Sequence, residues 1–156
     1  MDTTIHSRHD YMSTHREHAK ANLWLVPIGR FLYSIMFVLS GMSHFSSASI
    51  DYAASQGLPF AGILVPVSGI IAILGGLSVM LGFHARTGGL LLLLFLIPVT
   101  LIMHDFWTIT DPQMAQNQFA HFMKNISMIG AGVLIVFYGA GPVSIDNHKA
   151  KKGSRT

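Results

Sequence analysis

The chain has 156 residues, 51% of them hydrophobic and only 11% charged. Soluble domains carry about 25% charged residues, so these values exclude an ordinary soluble domain, a disordered chain and a nucleic-acid-binding surface. The absence of cysteine excludes a disulfide framework, a thiol nucleophile, an iron–sulfur cluster and a Cys zinc site.

Residues 1–22 are polar and contain Arg8, Arg16 and Lys20 together with His6, His9, His15 and His18. Clustered histidines bind transition metals, but arginines interrupt this set and a solvated tail is the simpler reading. Thr14 and Glu17 have capping-box spacing, which predicts a short interfacial helix near His15.

Four apolar segments follow: Leu23–Ser43, Gly62–Phe83, Gly88–Trp107 and Phe119–Gly139. Each is about 20 residues, enough to cross a hydrocarbon core of about 30 Å. In lipid a spanning segment must satisfy its own backbone, which predicts four helices. The expected fold is an all-α bundle of four transmembrane helices over residues 23–142, between a polar tail (1–22) and a basic tail (143–156). The first segment is long and follows a polar stretch, so it reads as an uncleaved anchor rather than a cleaved signal peptide.

Prolines mark the segment ends. Pro27 predicts a bend or restart before the first span, and Pro98 a kink in the third. Pro66 lies close to the end of the second span, where it costs less. Asp111 followed by Pro112 has the pattern of an N-cap and first helical residue. A helix from there to Gly139 is about 42 Å long, so its first two turns should lie in the interface or tilt.

The cations give an orientation. Those outside the spans fall in the N-terminal tail, at Arg86 between the second and third spans, and at Lys149, Lys151, Lys152 and Arg155. Residues 44–61 and 108–118 have no Lys or Arg, only Asp51 and Asp111. All three basic regions fall on one side of a four-span chain, which places both termini in the cytoplasm. The second span also carries a stripe of small residues, Ser68, Ala72 and Gly76, beside Gly69 and Gly75. Such a stripe permits close helix contact. Packing within the bundle is the first reading of it, and a homo-oligomer contact the second.

The first span reads GRFLYSIMFVLSGMSHF and the second GIIAILGGLSVMLGFHAR. The third ends in HDFW; the fourth opens with QNQFAHFMKN and is followed by GAGPVSID. Over residues 28–146 this pattern resembles the DoxX family of small bacterial membrane proteins. The resemblance implies a multi-pass protein of the bacterial inner (cytoplasmic) membrane associated with quinone-linked redox complexes. It also places a Glu where this chain has Ala72, which would leave Arg30 without an intramembrane acidic partner.

Ionisable residues within spans are functional candidates because charge in lipid is costly. Arg30 either snorkels to the headgroups along its long stem or grips a headgroup with its fixed fork of donors. At the outer side, His44, His104, Asp105, Trp107, His121, Lys124 and Asn125 form a polar layer contributed by three helices. His121, Lys124 and Asn125 share one helix face by their spacing. The expectation is that His44, His104 and His121 converge there, with Trp107 as one wall.

Three chemistries suit such a layer. A quinone headgroup would take hydrogen bonds from His, Lys or Asn. A divalent metal would take imidazole nitrogens, from His44, His104 and His121, plus a carboxylate. A haem b would take two axial histidines from different helices. Against these stands the plain reading that such residues are ordinary interface groups and that Trp107 belongs to an aromatic belt. The C-terminal KAKKGSRT should lie against anionic lipid, at about 1 kcal/mol per cation, and no fold for nucleic acid accompanies it. The leading expectation is an integral subunit of a quinone-linked redox system, with a protein partner supplying electrons, rather than a complete enzyme. The alternatives are a membrane scaffold or assembly protein and, third, a small-molecule or metal transporter, which usually shows an inverted repeat that this chain lacks.

Overall fold

The structure, a computed structural model, describes residues 23–153. The interfacial helix expected near His15 lies outside the described residues. In chain order the helices are α1 (Leu25–Ser43), α2 (Ser47–Ser55), α3 (Ala61–Leu81), α4 (Ala85–Met103), α5 (Pro112–Tyr138) and α6 (Ile145–Gly153), with a 3₁₀ turn at Phe106–Thr108 between α4 and α5. Among the described residues there is no strand. The fold is an all-α bundle in which α1, α3, α4 and α5 are each long and apolar enough to cross a membrane. Leu32, Ile63, Leu94 and Phe137 are exposed on its outside. In water such a surface would drive aggregation; lipid is its natural solvent.

Capping explains where α5 starts. The Asp111 carboxylate accepts the Met114 N–H at 2.8 Å, and Pro112 follows at the first helical position. Pro27, Pro66 and Pro98 do not break their helices. Pro27 sits in the first turn of α1, where its missing N–H has no partner to lose. α3 and α4 continue through Pro66 and Pro98.

Two short helices lie outside the four apolar segments. α2 starts where the Ser46 hydroxyl accepts the Ser49 N–H, and it buries Ala53 beside Ala61 and Val65. α6 occupies most of the segment expected to be a basic tail.

Consecutive spans are neighbours: α3 packs against α1 and α4, and α4 packs against α5. The small-residue stripe makes these approaches. A Cβ at Gly69 would meet the Gly41 carbonyl oxygen at 2.7 Å, and one at Gly75 would meet the Gly88 carbonyl oxygen at 3.0 Å. Gly69 thus seats α1 and Gly75 seats α4, both inside one bundle. Phe37, Ala72, Val79, Leu92, Phe95 and Leu96 form the buried core. α1 meets α5 where the Tyr33 hydroxyl donates to the Met128 carbonyl at 3.2 Å.

The bundle has two ends. At the near end, the chain enters α1 and leaves α5; at the far end lie α2 and the 3₁₀ turn. The near end is tied shut by long-range hydrogen bonds. Arg30, buried on α1, donates to the carbonyls of Ala140 and Val143 just beyond α5. Asp146 then accepts the N–H groups of His84 at 2.8 Å and Ala85 at 3.1 Å, so a carboxylate from α6 caps the start of α4. The Asp146 N–H returns to the Gly82 carbonyl at 2.9 Å, and Lys149 lies 4.3 Å over the Phe83 ring.

Candidate functional site

The inner faces of α1, α2, α3, α4 and α5 leave a cavity of about 680 Å³ towards the far end. Its walls are mainly apolar, with Phe37, Val65, Ile71, Phe95 and Val99 among them. Polar groups are few and come from different helices. His44 ends α1, Ser68 sits on α3, His104 ends α4, and Lys124 and Asn125 lie halfway along α5.

The hydrogen bonds fix how these groups are presented. The Ser68 hydroxyl donates its single hydrogen to the Val65 carbonyl at 2.7 Å. Ser68 Oγ is also 2.9 Å from His44 Nδ1, so it must accept there and the imidazole must donate. When neutral, His44 is therefore the Nδ1–H tautomer, with a lone pair left on Nε2. The His44 ring also leans on Phe95, with centroids 5.6 Å apart. His104 Nδ1 lies 2.7 Å from the Gln118 side-chain amide oxygen Oε1, which fixes the same tautomer there. Asn125 is only 5% exposed. Its side chain makes no hydrogen bond to any described residue, yet it is not among the sealed, unpartnered polar atoms of the interior. Its amide therefore opens onto the cavity.

The layer expected from the sequence is brought together only in part. His104 and His121 stack at 5.4 Å with ring planes 17° apart. His44 is held away from them by Ser68, and no group of three His, Asp or Glu able to hold a metal occurs among the described residues. The three-histidine metal set is corrected on that ground. Asp105 accepts the Thr108 hydroxyl at 2.9 Å, within the 3₁₀ turn. Trp107 is not a cavity wall: it packs edge-on against Phe106 and Phe122 and is 56% exposed. Arg30 neither snorkels nor faces the cavity; backbone carbonyls at the near end take its fork. Ser68, Gln118 and Phe95 are the residues that sequence reasoning missed. Ser68 was visible only as part of a packing stripe, and Gln118 only as a polar residue one turn before His121.

A model of the SURF4 family matches residues 1–152. The chain belongs to the SURF4 family. That match spans almost the whole chain and overturns the DoxX assignment, which rested on short motifs over residues 28–146. The implied association with quinone-linked redox complexes loses its basis with it. The chain is similar to the inner membrane protein YphA of Escherichia coli (strain K12), with 25% identity over 124 residues, 78% of this chain and 88% of that protein. It is also similar to the inner membrane protein YqjF of the same organism, with 26% identity over 129 residues, 81% of this chain and 93% of that protein. No solved structure matches it. With four membrane-crossing helices and these relatives, the protein is an integral protein of the bacterial inner membrane.

Proposed function

We propose that this SURF4-family protein binds a small lipophilic molecule with a polar headgroup in its far-end cavity, with that end facing outward and both termini in the cytoplasm. The orientation is supported by the cations outside the spans, which lie in the two tails and at Arg86 and are absent from residues 44–61 and 108–118. The observation that carries the binding reading is the cavity itself. Its volume of about 680 Å³ falls in the range of small-molecule pockets, about 300–1,000 Å³. Apolar walls with a few convergent polar groups are the composition of such pockets. A quinone is one molecule of this class, since its carbonyls accept the hydrogen bonds that Asn125 and Lys124 donate. The electron-donating partner expected from the sequence has no separate support in the geometry.

The test is mass spectrometry of solvent extracts from full-length protein purified in a neutral detergent, beside a Val99→Phe variant that narrows the cavity. A lipophile retained near one per chain in the native protein and lost from the variant is the expected result. Equal retention by both proteins, or none by either, would overturn the reading.

A second reading, a membrane scaffold or assembly protein, is favoured by one observation. Arg30, His44 and His104 are each held by a neighbouring segment, as structural polar residues are. On that reading the native cavity carries only bulk lipid, in the same proportions as the surrounding membrane.

A further inference from the structure

The cavity reading leaves open what kind of headgroup is taken, and Lys124 and Asn125 answer it. We propose that the ligand is a single-chain anionic amphiphile, its acidic headgroup held by Lys124 and Asn125 and its hydrocarbon chain lying along the apolar walls. This inference rests on the cavity reading.

Depth is the first argument. α5 has 27 residues and Lys124, exposed at the cavity mouth, is about 18 Å along the helix from Pro112; with the first two turns in the interface it lies about 7 Å inside the hydrocarbon. A cation at that depth is costly unless something compensates it. Among the described residues no carboxylate forms an ion pair with it. The Asp105 carboxylate is turned to the Thr108 hydroxyl and that of Asp111 to the Met114 N–H.

Asn125 is the second, independent observation. It is 5% exposed, without a hydrogen-bond partner among the described residues, and opens onto the same cavity as Lys124. A buried amide without a partner is also costly. The ammonium of Lys124 has donors only, and the amide of Asn125 adds two more. Adjacent donors with one positive charge select an acceptor-rich, negatively charged headgroup, since charge-assisted hydrogen bonds are the stronger kind. A neutral lipid would leave the cation uncompensated.

The walls and the volume set the rest of the molecule. Phe37, Ile71, Phe95 and Val99 suit a hydrocarbon chain. A cavity of about 680 Å³ is on the scale of one small ligand rather than of a two-chain phospholipid. A fatty-acid carboxylate and the phosphate of a single-chain phospholipid share the required chemistry.

The experiment uses full-length protein in phosphatidylcholine nanodiscs and three radiolabelled probes with the same chain: oleate, oleoyl lysophosphatidate and oleyl alcohol. Binding is read by scintillation proximity. At least one of the two acids is expected to bind about tenfold or more tighter than the alcohol, and the acid that does so identifies the source of the headgroup. Lys124→Gln should remove that preference, and Lys124→Arg should keep most of it. Equal affinity for all three probes, or a preference for acid that survives Lys124→Gln, overturns the anionic ligand and leaves the cavity reading standing. Failure of all three to bind overturns both. If Lys124→Gln does not insert, the comparison of acid with alcohol on the native protein decides alone.

Discussion

Arg30 donates to the backbone carbonyl of Val143 at 2.8 Å, across 113 residues of sequence. The bond joins the first turns of the first span to the chain just beyond the last. An arginine that would be costly in lipid is thus matched by two carbonyls of the turn that follows α5, and by the nearby Asp146 carboxylate. The family resemblance placed an acidic partner on the second span, at Ala72. The partners instead come from the C-terminal segment, and Ala72 is fully buried in the core.

This geometry makes Arg30 a structural fork. Arg30→Lys keeps the charge but ends in one nitrogen on a shorter stem, whereas the guanidinium reaches the two carbonyls with two separate nitrogens. The expected result is a loss of about 1–3 kcal/mol, read as a lower Tm of the purified protein in detergent. Ligand retention in the far-end cavity should survive below that Tm, because Arg30 lies at the other end of the bundle. An unchanged Tm would retire the fork.

Asp146 should make the near end sensitive to acid. Partial burial raises its carboxyl, but the N–H groups of Ala85 and His84, with the charges of His84 and Lys149 close by, outweigh that and hold it below the usual aspartate value. A carboxyl with a depressed folded value stabilises fully above its unfolded value, about 3.9, and loses that stabilisation as the pH falls through the folded one. Hydrogen exchange at the His84 and Ala85 amides should therefore be slow at pH 7 and accelerate only below about pH 4, relative to the intrinsic rate. Asp146→Ala should show the fast exchange at every pH. Protection that persists in the variant would show that another group caps α4.

The parts legible in the sequence were those set by local signals. Runs of apolar residues located all four spanning helices, and Asp111-Pro112 fixed the start of α5 because a cap is a contact over three residues. α2 was missed because nine residues, mostly polar or small, make too weak a periodic signal, and its stability comes from Ala53 packing on Ala61 and Val65. α6 was missed because its anchor, Asp146, acts on residues 61 and 62 positions earlier in the chain. The candidate site divided the same way. Lys124 and Asn125 could each be placed within one turn of His121 by spacing. That His44 would turn to Ser68 rather than to the other histidines depends on how α1 and α3 approach, which no local pattern carries.

The orientation is open to a direct measurement, because the chain has no cysteine. Gln56→Cys, at the end of α2, should react with a membrane-impermeant maleimide in cells whose outer membrane is permeabilised and whose inner membrane is intact. Lys152→Cys, exposed on α6, should react only after the inner membrane is opened. The reverse pattern would invert the protein and move the cavity to the cytoplasmic leaflet.

The contact between Gly69 and Gly41 should control both stability and the cavity. A methyl group at Gly69 would lie 2.7 Å from the Gly41 carbonyl oxygen and 2.8 Å from the His44 Cβ. The first obstacle is backbone, so α1 must move away from α3, and it would carry His44 off Ser68. Gly69→Ala is therefore expected to cost about 1–3 kcal/mol, as overpacking does, and to reduce lipophile retention. Gly130→Ala is the matched control: it lies inside α5, and nothing stands within 4 Å of its added methyl. There alanine should be neutral or raise stability by up to about 1 kcal/mol through helix propensity alone. Thermal unfolding of the two variants in one detergent measures both effects. A Gly69→Ala protein as stable as Gly130→Ala would mean that the helices do not approach through this pair.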